Sequence, residues 1–515
     1  MAETMDTNNN EGRMKNTSTG KTRWITMLGW LALVSAMPAP AQDDADSVRE
    51  LKEAVDALSR EVDSLREQAE QKDRSTAMQQ KVEAQVPSLS WREGVQFSDP
   101  RGDWSLRIFG RGQLDYRQFD PGAAANTFGV RRARLGANMS FQKSYGVTVE
   151  GEYASGSASG AATQSASVTN AYLDFNWFDK ARLRAGQFKP QFGLENTVSA
   201  NFSDFQERAL THNLIQNLNY DRGVMIHGAP FTGVNYGVTI SNGTGLNLEE
   251  RQLSRQDVDA DGKMLTARLT ADFARILEMA DGVIHLGGSY KSGKAANSQA
   301  NPYTAATGQT EGRGVVFFNP EAFASATVAG SNVDRTLSAI EFALAHRSWK
   351  VQGEYWQAQY EGERSTAPAT GYDRRIDSAY LSVLWLITGE SYADAYGNGI
   401  FSRIRPRNNF SSEEGGGWGA FEVGLRYSLF DAGDFLDATS ANANTGRLSA
   451  SGTGAIASTP TREADAWTVG LKWMPNAYSR LMLNYIVTHF DTTVVANGYT
   501  MDEEKALTVR AQLDF

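Results

Sequence analysis

Residues 506–515 read Ala-Leu-Thr-Val-Arg-Ala-Gln-Leu-Asp-Phe. Leu507, Val509, Ala511, Leu513 and Phe515 fall on one parity, and Thr508, Arg510, Gln512 and Asp514 on the other. Successive side chains of a strand point to opposite faces, so this stretch is a strand with one wholly apolar and one wholly polar face. Such a strand fits a soluble sandwich or a wall between lipid and water.

Working outward from it, the same period returns with aromatics at the strand ends. Trp467, Val469, Leu471 and Trp473 share a face, as do Phe421, Val423, Leu425 and Tyr427 opposite Glu422, Gly424 and Arg426. A run of about six residues spans ~20 Å, which when tilted suits an apolar band ~25 Å tall edged by aromatic rings. Segments of this kind lie at 104–116, 130–140, 146–154, 169–177, 182–188, 222–229, 234–241, 263–273, 283–291, 335–345, 349–360, 377–387, 417–429, 464–474, 479–490 and 506–515. The pattern predicts an all-β transmembrane fold, an antiparallel barrel of about sixteen strands over 104–515. Its connections mostly alternate, short at Phe178–Ala181, Pro230–Gly233 and Pro475–Tyr478, long at 189–221, 292–334 and 430–463. That is the alternation of periplasmic turns with external loops. The exception is 388–416, long where a short turn is due and carrying Arg403, Arg405 and Arg407, which is expected to fold into the lumen.

Composition agrees. Among 515 residues, 48 Gly, 18 Tyr and 11 Trp suit many strands separated by turns. Mean hydropathy is -0.43, and after the first forty residues nothing approaches the ~20 apolar residues a membrane helix needs. A barrel escapes that test because its strands alternate. The chain has no cysteine, which excludes disulfides and thiolate metal sites. A net charge of -10 argues against nucleic acid as a partner but leaves the sign of a pore's local field open.

From Met14 the chain reads MKNTSTGKTRWITMLGWLALVSAMPAPAQ. Lys15, Lys21 and Arg23 precede an apolar run from Trp24 to Met37 that is too short to span, and Ala39-Pro40-Ala41 offers a cleavage site before Gln42. Residues 1–41 are therefore expected to be a secretory signal, with Met14 as the true start. Val48, Leu51, Val55, Leu58, Val62, Leu65 and Ala69 then follow a/d heptad spacing, which predicts a short coiled-coil helix over 42–72. A solvated helix packing on its own barrel remains the other reading. Residues 73–103 read as linker. The expected location is the outer membrane of a Gram-negative bacterium, with the coiled coil in the periplasm.

The charges are placed by parity. Arg107, Arg111, Gln113 and Asp115 share the polar face of the first strand, and Arg132 and Arg134 that of the second, with Arg131 near its start. An arginine facing lipid at mid-depth costs ~2–4 kcal/mol, so these side chains belong in the lumen. Rows of guanidinium groups attract anions and offer forked donors to phosphate or carboxylate. Asp115, Glu150 and Glu152 are candidate acidic partners, which would give a transverse field without strong selectivity.

The stretches GRGQLDYRQFD (110–120), VRRARLGANMSFQ (130–142), RAGQFKPQFGLENTVSANFSDFQERAL (184–210), WLITGE (385–390) and GAFEVGLRYS (419–428) resemble the phosphate-selective porins typified by porins O and P. The resemblance implies a homotrimeric barrel in outer-membrane lipid, an inward third external loop, and an arginine ladder. It implies passive diffusion of small anions, phosphate and polyphosphate among them. By motif position Arg111 and the Arg131–Arg132 pair match pore arginines, and Arg107 stands where a lysine is usual. Lys189 stands where an aromatic is usual, and Lys189 and Arg208 belong to the stretch 189–221, which has few hydrophobic anchors and matches the constriction loop. Asn196, Gly146 and Thr169 replace two lysines and an aspartate, which implies general anion passage with weak phosphate capture.

Other signals are weaker. Asp257–Gly262 copies the start of a calcium loop, but its twelfth position is Arg268 where a bidentate Glu is needed. His212, His227, His285, His346 and His489 show no metal spacing, and no nucleophile motif stands near one. No catalytic residue, metal or cofactor is expected. A weakly selective pore for other small solutes, and a structural or adhesive barrel with a plugged lumen, remain the alternatives.

Overall fold

The computed structural model describes residues 44–83, 86–91, 93–154, 166–243, 245, 263–297, 303–323, 331–364, 370–440 and 446–515. The expected signal segment and the Asp257–Gly262 turn lie outside them.

Helix α1 runs Asp44–Glu83, and it and the residues from Ala84 onward are separate compact units. It is longer than the heptads alone imply. Residues 73–83, expected as linker, continue it because Ala, Met, Gln, Lys and Glu favour helix and no Gly or Pro intervenes before Pro87. Its heptad residues Val48, Leu51, Val55, Leu58 and Leu65 are all exposed. The rest of the expected linker is not irregular either. Ser88–Trp91 and Val95–Ser98 form a hairpin whose second strand pairs with Ser105–Ile108.

Sixteen strands form the barrel. They are β1 (Trp104–Asp120), β2 (Thr127–Phe141), β3 (Tyr145–Glu152), β4 (Ser167–Phe178), β5 (Ala181–Phe188), β6 (Asp221–Phe231), β7 (Val234–Ser241), β8 (Met264–Asp272), β9 (Gly282–Asn297), β10 (Ser331–His346), β11 (Trp349–Arg364), β12 (Thr370–Leu386), β13 (Ala420–Asp431), β14 (Glu463–Asn476), β15 (Ser479–Ala496) and β16 (Tyr499–Asp514). Each is antiparallel to its chain neighbour. β16 pairs with β1 from Lys505↔Asp120 to Asp514↔Arg111, which closes the barrel. Phe515 completes the seam by exchanging backbone hydrogen bonds of 3.0 and 2.9 Å with Gly110.

Every segment read from the sequence overlaps one of these strands, with 146–154, 263–273, 377–387, 417–429 and 506–515 each overrunning a strand end by one to three residues, and several strands run farther at the long-loop end. β12 begins at Thr370 instead of 377 because Asp373, Arg375 and Asp377 occupy its outward face, where apolar alternation has ceased while backbone pairing continues. Aromatic rings sit on the outward face near both ends, with Trp349 stacked on Trp385 at 5.2 Å near one and Tyr427 against Trp467 at 4.7 Å near the other.

Loops fill much of the interior. The connection 189–220, expected to be poor in hydrophobic anchors, buries Phe192, Leu194, Val198, Phe205, Leu210, Leu214 and Ile215. Their irregular spacing hides them from any periodic reading. The turn at Leu194–Thr197 is seated on β11, where the Glu354 carboxylate accepts from the backbone N–H groups of Leu194 (2.9 Å) and Glu195 (2.6 Å). Gly193 is required there. Its φ is 67°, and a Cβ would stand 2.3 Å from the Trp356 ring.

Two apolar clusters hold the loops. Phe317, Phe318 and Phe323, from the loop 303–323, pack on Trp356, Tyr360, Phe430 and Phe490 of β11, β13 and β15. Leu194, Val198 and Phe205 pack with Tyr392 and Phe401 of the 387–419 connection, on Ala343 and Leu384. That connection does turn inward. The Tyr392 hydroxyl donates to Glu422 at 3.0 Å, and Lys350 Nζ lies 4.3 Å from the Phe401 ring. Arg403 pairs with Asp514 and, at 3.2 Å, with Glu93 of the N-terminal hairpin, while Arg405 also reaches Glu93 at 2.9 Å.

Candidate functional site: the arginine wall

Strand parity turns Arg107, Arg111, Gln113, Asp115 and Arg117 of β1 toward the interior, with Arg510 of β16 beside them. On β2 the arrangement depends on a bulge. Gln113 pairs with Arg132 and Leu114 with Val130, so Arg131 opposes no residue. An extra residue in one strand re-aims a side chain. Here it lets two consecutive arginines face the interior, with Arg131 Nε donating to Glu207 at 2.7 Å and Arg132 Nη1 to Gln113 Oε1 at 2.8 Å.

Acids thread this wall. Arg111 pairs with Glu150 at 3.0 Å, and Arg134 with Glu152 at 2.6 Å and Glu150 at 3.3 Å. Arg510 grips Asp115 with two bonds of 2.7 and 2.8 Å, and Arg117 shares that carboxylate at 2.7 Å. Arg107, in contrast, lies over the Phe109 ring at 5.5 Å. Among the described residues Arg107, Arg132 and Arg313 have no carboxylate within ion-pair distance.

Lys189 and Arg208 are placed differently from the wall arginines. Lys189 Nζ donates to the carbonyls of Asn196 and Val198, and Arg208 donates to those of Glu195 (3.1 Å) and Val198 (3.1 Å). Both fasten the 189–220 loop to itself. Burial pushes both below their ordinary pKa, in Lys189 with the help of Arg208's charge.

Sequence reasoning missed Arg117 and Arg510, although both share the polar parity of strands already read. It also missed Glu207, Glu311 and Arg313, which sit on loops where no period marks them. Glu311 accepts from Arg426 at 2.6 Å and from Ser428 and Thr468 at 2.5 Å each, tying the 303–323 loop to β13 and β14. Between the two inward loops lies a cavity of about 410 Å³, whose lining includes Glu207, Arg208, His212, Glu311 and Arg313. Burial alone would raise Glu207, but Arg131, Arg510 and Arg117 hold it well below the carboxylate range. Burial, then Arg208 and Lys189, keeps His212 well below its usual value. Arg131's charge, then burial, lowers Arg313 to about 10.

A family model for phosphate-selective porins O and P matches residues 106–515. The chain belongs to that family. It is an outer-membrane porin. Porin O of Pseudomonas aeruginosa is 24% identical over 432 residues, 80% of this chain and 89% of the relative. An uncharacterized protein of Caulobacter vibrioides is 27% identical over 178 residues, 34% of this chain and 29% of its own. Among solved structures, an anion-selective porin from Comamonas acidovorans aligns at TM-score 0.49 and 14% identity, over 80% of this chain and 100% of that one. The channel DcaP of Acinetobacter baumannii aligns at 0.46 and 11%, over 80% and 97%.

Three of the departures that the resemblance implies are Thr169, Gly146 and Asn196. Thr169 donates to Glu150 at 2.8 Å, and a Cβ added at Gly146 would stand 3.2 Å from the Cβ of Asp174. Asn196 is buried in the inward loop, with neither side-chain polar atom partnered among the described residues.

Proposed function

We propose that this porin passes small anions, phosphate among them, by passive diffusion along the β1–β2–β16 wall. The observation that carries this is that Arg107, Arg132 and Arg313 have no carboxylate within ion-pair distance among the described residues. Arg107 lies near the short-turn end, Arg132 midway, and Arg313 on the inward loop near the other end. Paired arginines fill the gaps between them. An anion can move from one uncompensated guanidinium to the next, attracted in a confined passage where each charge is felt more than in bulk water. Conduction requires attraction weak enough at each step to let go. The interleaved Asp115, Glu150 and Glu152 limit it, so phosphate passes and is not captured tightly. Arg107, Arg111, Arg131, Arg132 and Arg134 line this pathway, whereas Lys189 and Arg208 act by setting the loop that narrows it.

The assembly is a homotrimer in the outer membrane, with α1 in the periplasm. The exposed heptad face of α1, Leu51 at 69% for example, is covered by the same helix of the other copies.

The test is the reversal potential across a planar bilayer in a salt gradient. Replacing Arg111→Glu and Arg132→Glu together should move it toward cations, and the shift should shrink at high salt, where the Debye length falls to ~3 Å at 1 M. No shift in the double variant contradicts the pathway.

A further inference from the structure

Glu207 is delivered to the arginine wall by a loop and not by a strand. Its carboxylate accepts from Arg117 Nη2 at 2.9 Å, Arg131 Nε at 2.7 Å and Arg510 Nη2 at 2.8 Å, three guanidinium groups contributed by β1, β2 and β16. That is the donor set a bound oxyanion would receive. We propose that Glu207 is a resident counter-ion, occupying the strongest anion-binding position on the wall and so keeping permeant anions from lodging there. The inference rests on the anion pathway proposed above and names the residue that sets its affinity.

Charge and access support it. Asp115 and Glu207 together balance two of the three guanidinium charges, and without Glu207 the cluster would gain a full positive charge. The cavity of about 410 Å³ opens directly beside Glu207, with Arg313 and Arg208 in its wall, so a solute anion in transit meets this group. The same cavity would admit phosphate to the cluster if the carboxylate were gone.

Pinning the loop does not require Glu207. Leu194 and Glu195 are already held by Glu354. Glu195 also pairs with Arg426 at 3.1 Å, and Arg426 further holds the Glu207 backbone carbonyl at 3.1 Å. Gln113 and Gln512 donate to the carbonyls of Ala200 and Asn201 at 3.2 and 3.1 Å. A loop fastened at so many backbone points keeps its course when one side chain loses its charge.

The experiment is phosphate block of chloride current through single channels of the full-length protein, wild type against Glu207→Gln and Glu207→Asp. The amide keeps the size and an acceptor but removes the charge, and the half-blocking phosphate concentration should fall roughly tenfold. The aspartate keeps the charge and should stay near wild type. An unchanged block in the amide variant overturns the proposal, and so does an equal fall in both variants, which would mean that loop geometry and not charge matters. Wild-type cation preference would sink the anion pathway, whereas wild-type anion preference with an unchanged amide variant sinks only the counter-ion role. If the amide variant does not fold, wild-type crystals soaked in bromide decide. Bromide should be absent from contact with Arg117, Arg131 and Arg510, and a bromide sharing all three with Glu207 in place overturns the proposal.

Discussion

At the scale of single residues, the wall works through which guanidinium groups lack a carboxylate. Arg132 is held only by the neutral Gln113 among its described partners. Gln113→Glu would set a carboxylate beside Arg132 without removing any cation, at the cost of the Gln113 Nε2 bonds to the Ala200 carbonyl and Gln512 Oε1. Anion preference should therefore fall, whereas Gln118→Glu, on the outward parity of the same strand, should leave it unchanged. Equal shifts in the two variants would mean that overall surface charge, and not the contact, sets selectivity. The loop groups also predict pH behaviour. Glu207's lowered pKa keeps it ionised, and the stability it gives is present above the ordinary carboxylate range and lost only as pH falls through the lowered value. His212, depressed by burial, stays neutral in the folded barrel, so it costs stability only as pH falls below about 6.5 and the unfolded chain takes up a proton. At neutral pH and above neither group changes charge, so neither should move the anion-to-cation permeability ratio between about pH 7 and 8. A change in that ratio abolished by His212→Gln would contradict this.

Elements differ in how they were legible. Strands could be read because lipid outside and water inside impose a period of two on them, and the seam residues Leu507–Phe515 carry it without a break. The arginine wall followed from that same parity. Arg131 was reached through the motif resemblance and its place beside Arg132, and not through parity, since a bulge leaves no mark on alternation. The inward loops obey no period. Hence Phe205, Glu207 and Arg313 were missed, and 189–220 was read as poor in anchors when apolar contacts and backbone hydrogen bonds seat it. The 387–419 connection was legible only through its excess length. It buries Tyr392 and Phe401 in the interior but contributes none of the uncompensated wall cations. Excising its inward part should raise single-channel conductance with anion preference retained, and unchanged conductance would show that it lies off the path. The exposed heptads of α1 fit the proposed accessory role in assembly. Deleting 44–83 should leave a folded, trimeric barrel in mild detergent, and recovery of monomers alone would make the helix the main trimer contact.

At the scale of the molecule, a chain of net charge -10 encloses a wall on which basic groups outnumber acidic ones. There is no conflict between the two, because charge elsewhere, such as the excess of acids over bases on α1, acts on bulk solution while the wall acts on what enters. The barrel half formed by β10–β15 is packed from inside by two apolar clusters, in keeping with the proposed path along the side bearing the arginines. What speaks against a plugged structural barrel is the family to which the chain belongs, the phosphate-selective porins. The most direct measurement is the zero-current potential of the unmodified porin in a planar bilayer across a potassium chloride gradient. The arginine wall predicts a potential of the sign set by chloride, with added phosphate lowering the current only weakly. A potential of the sign set by potassium would contradict it.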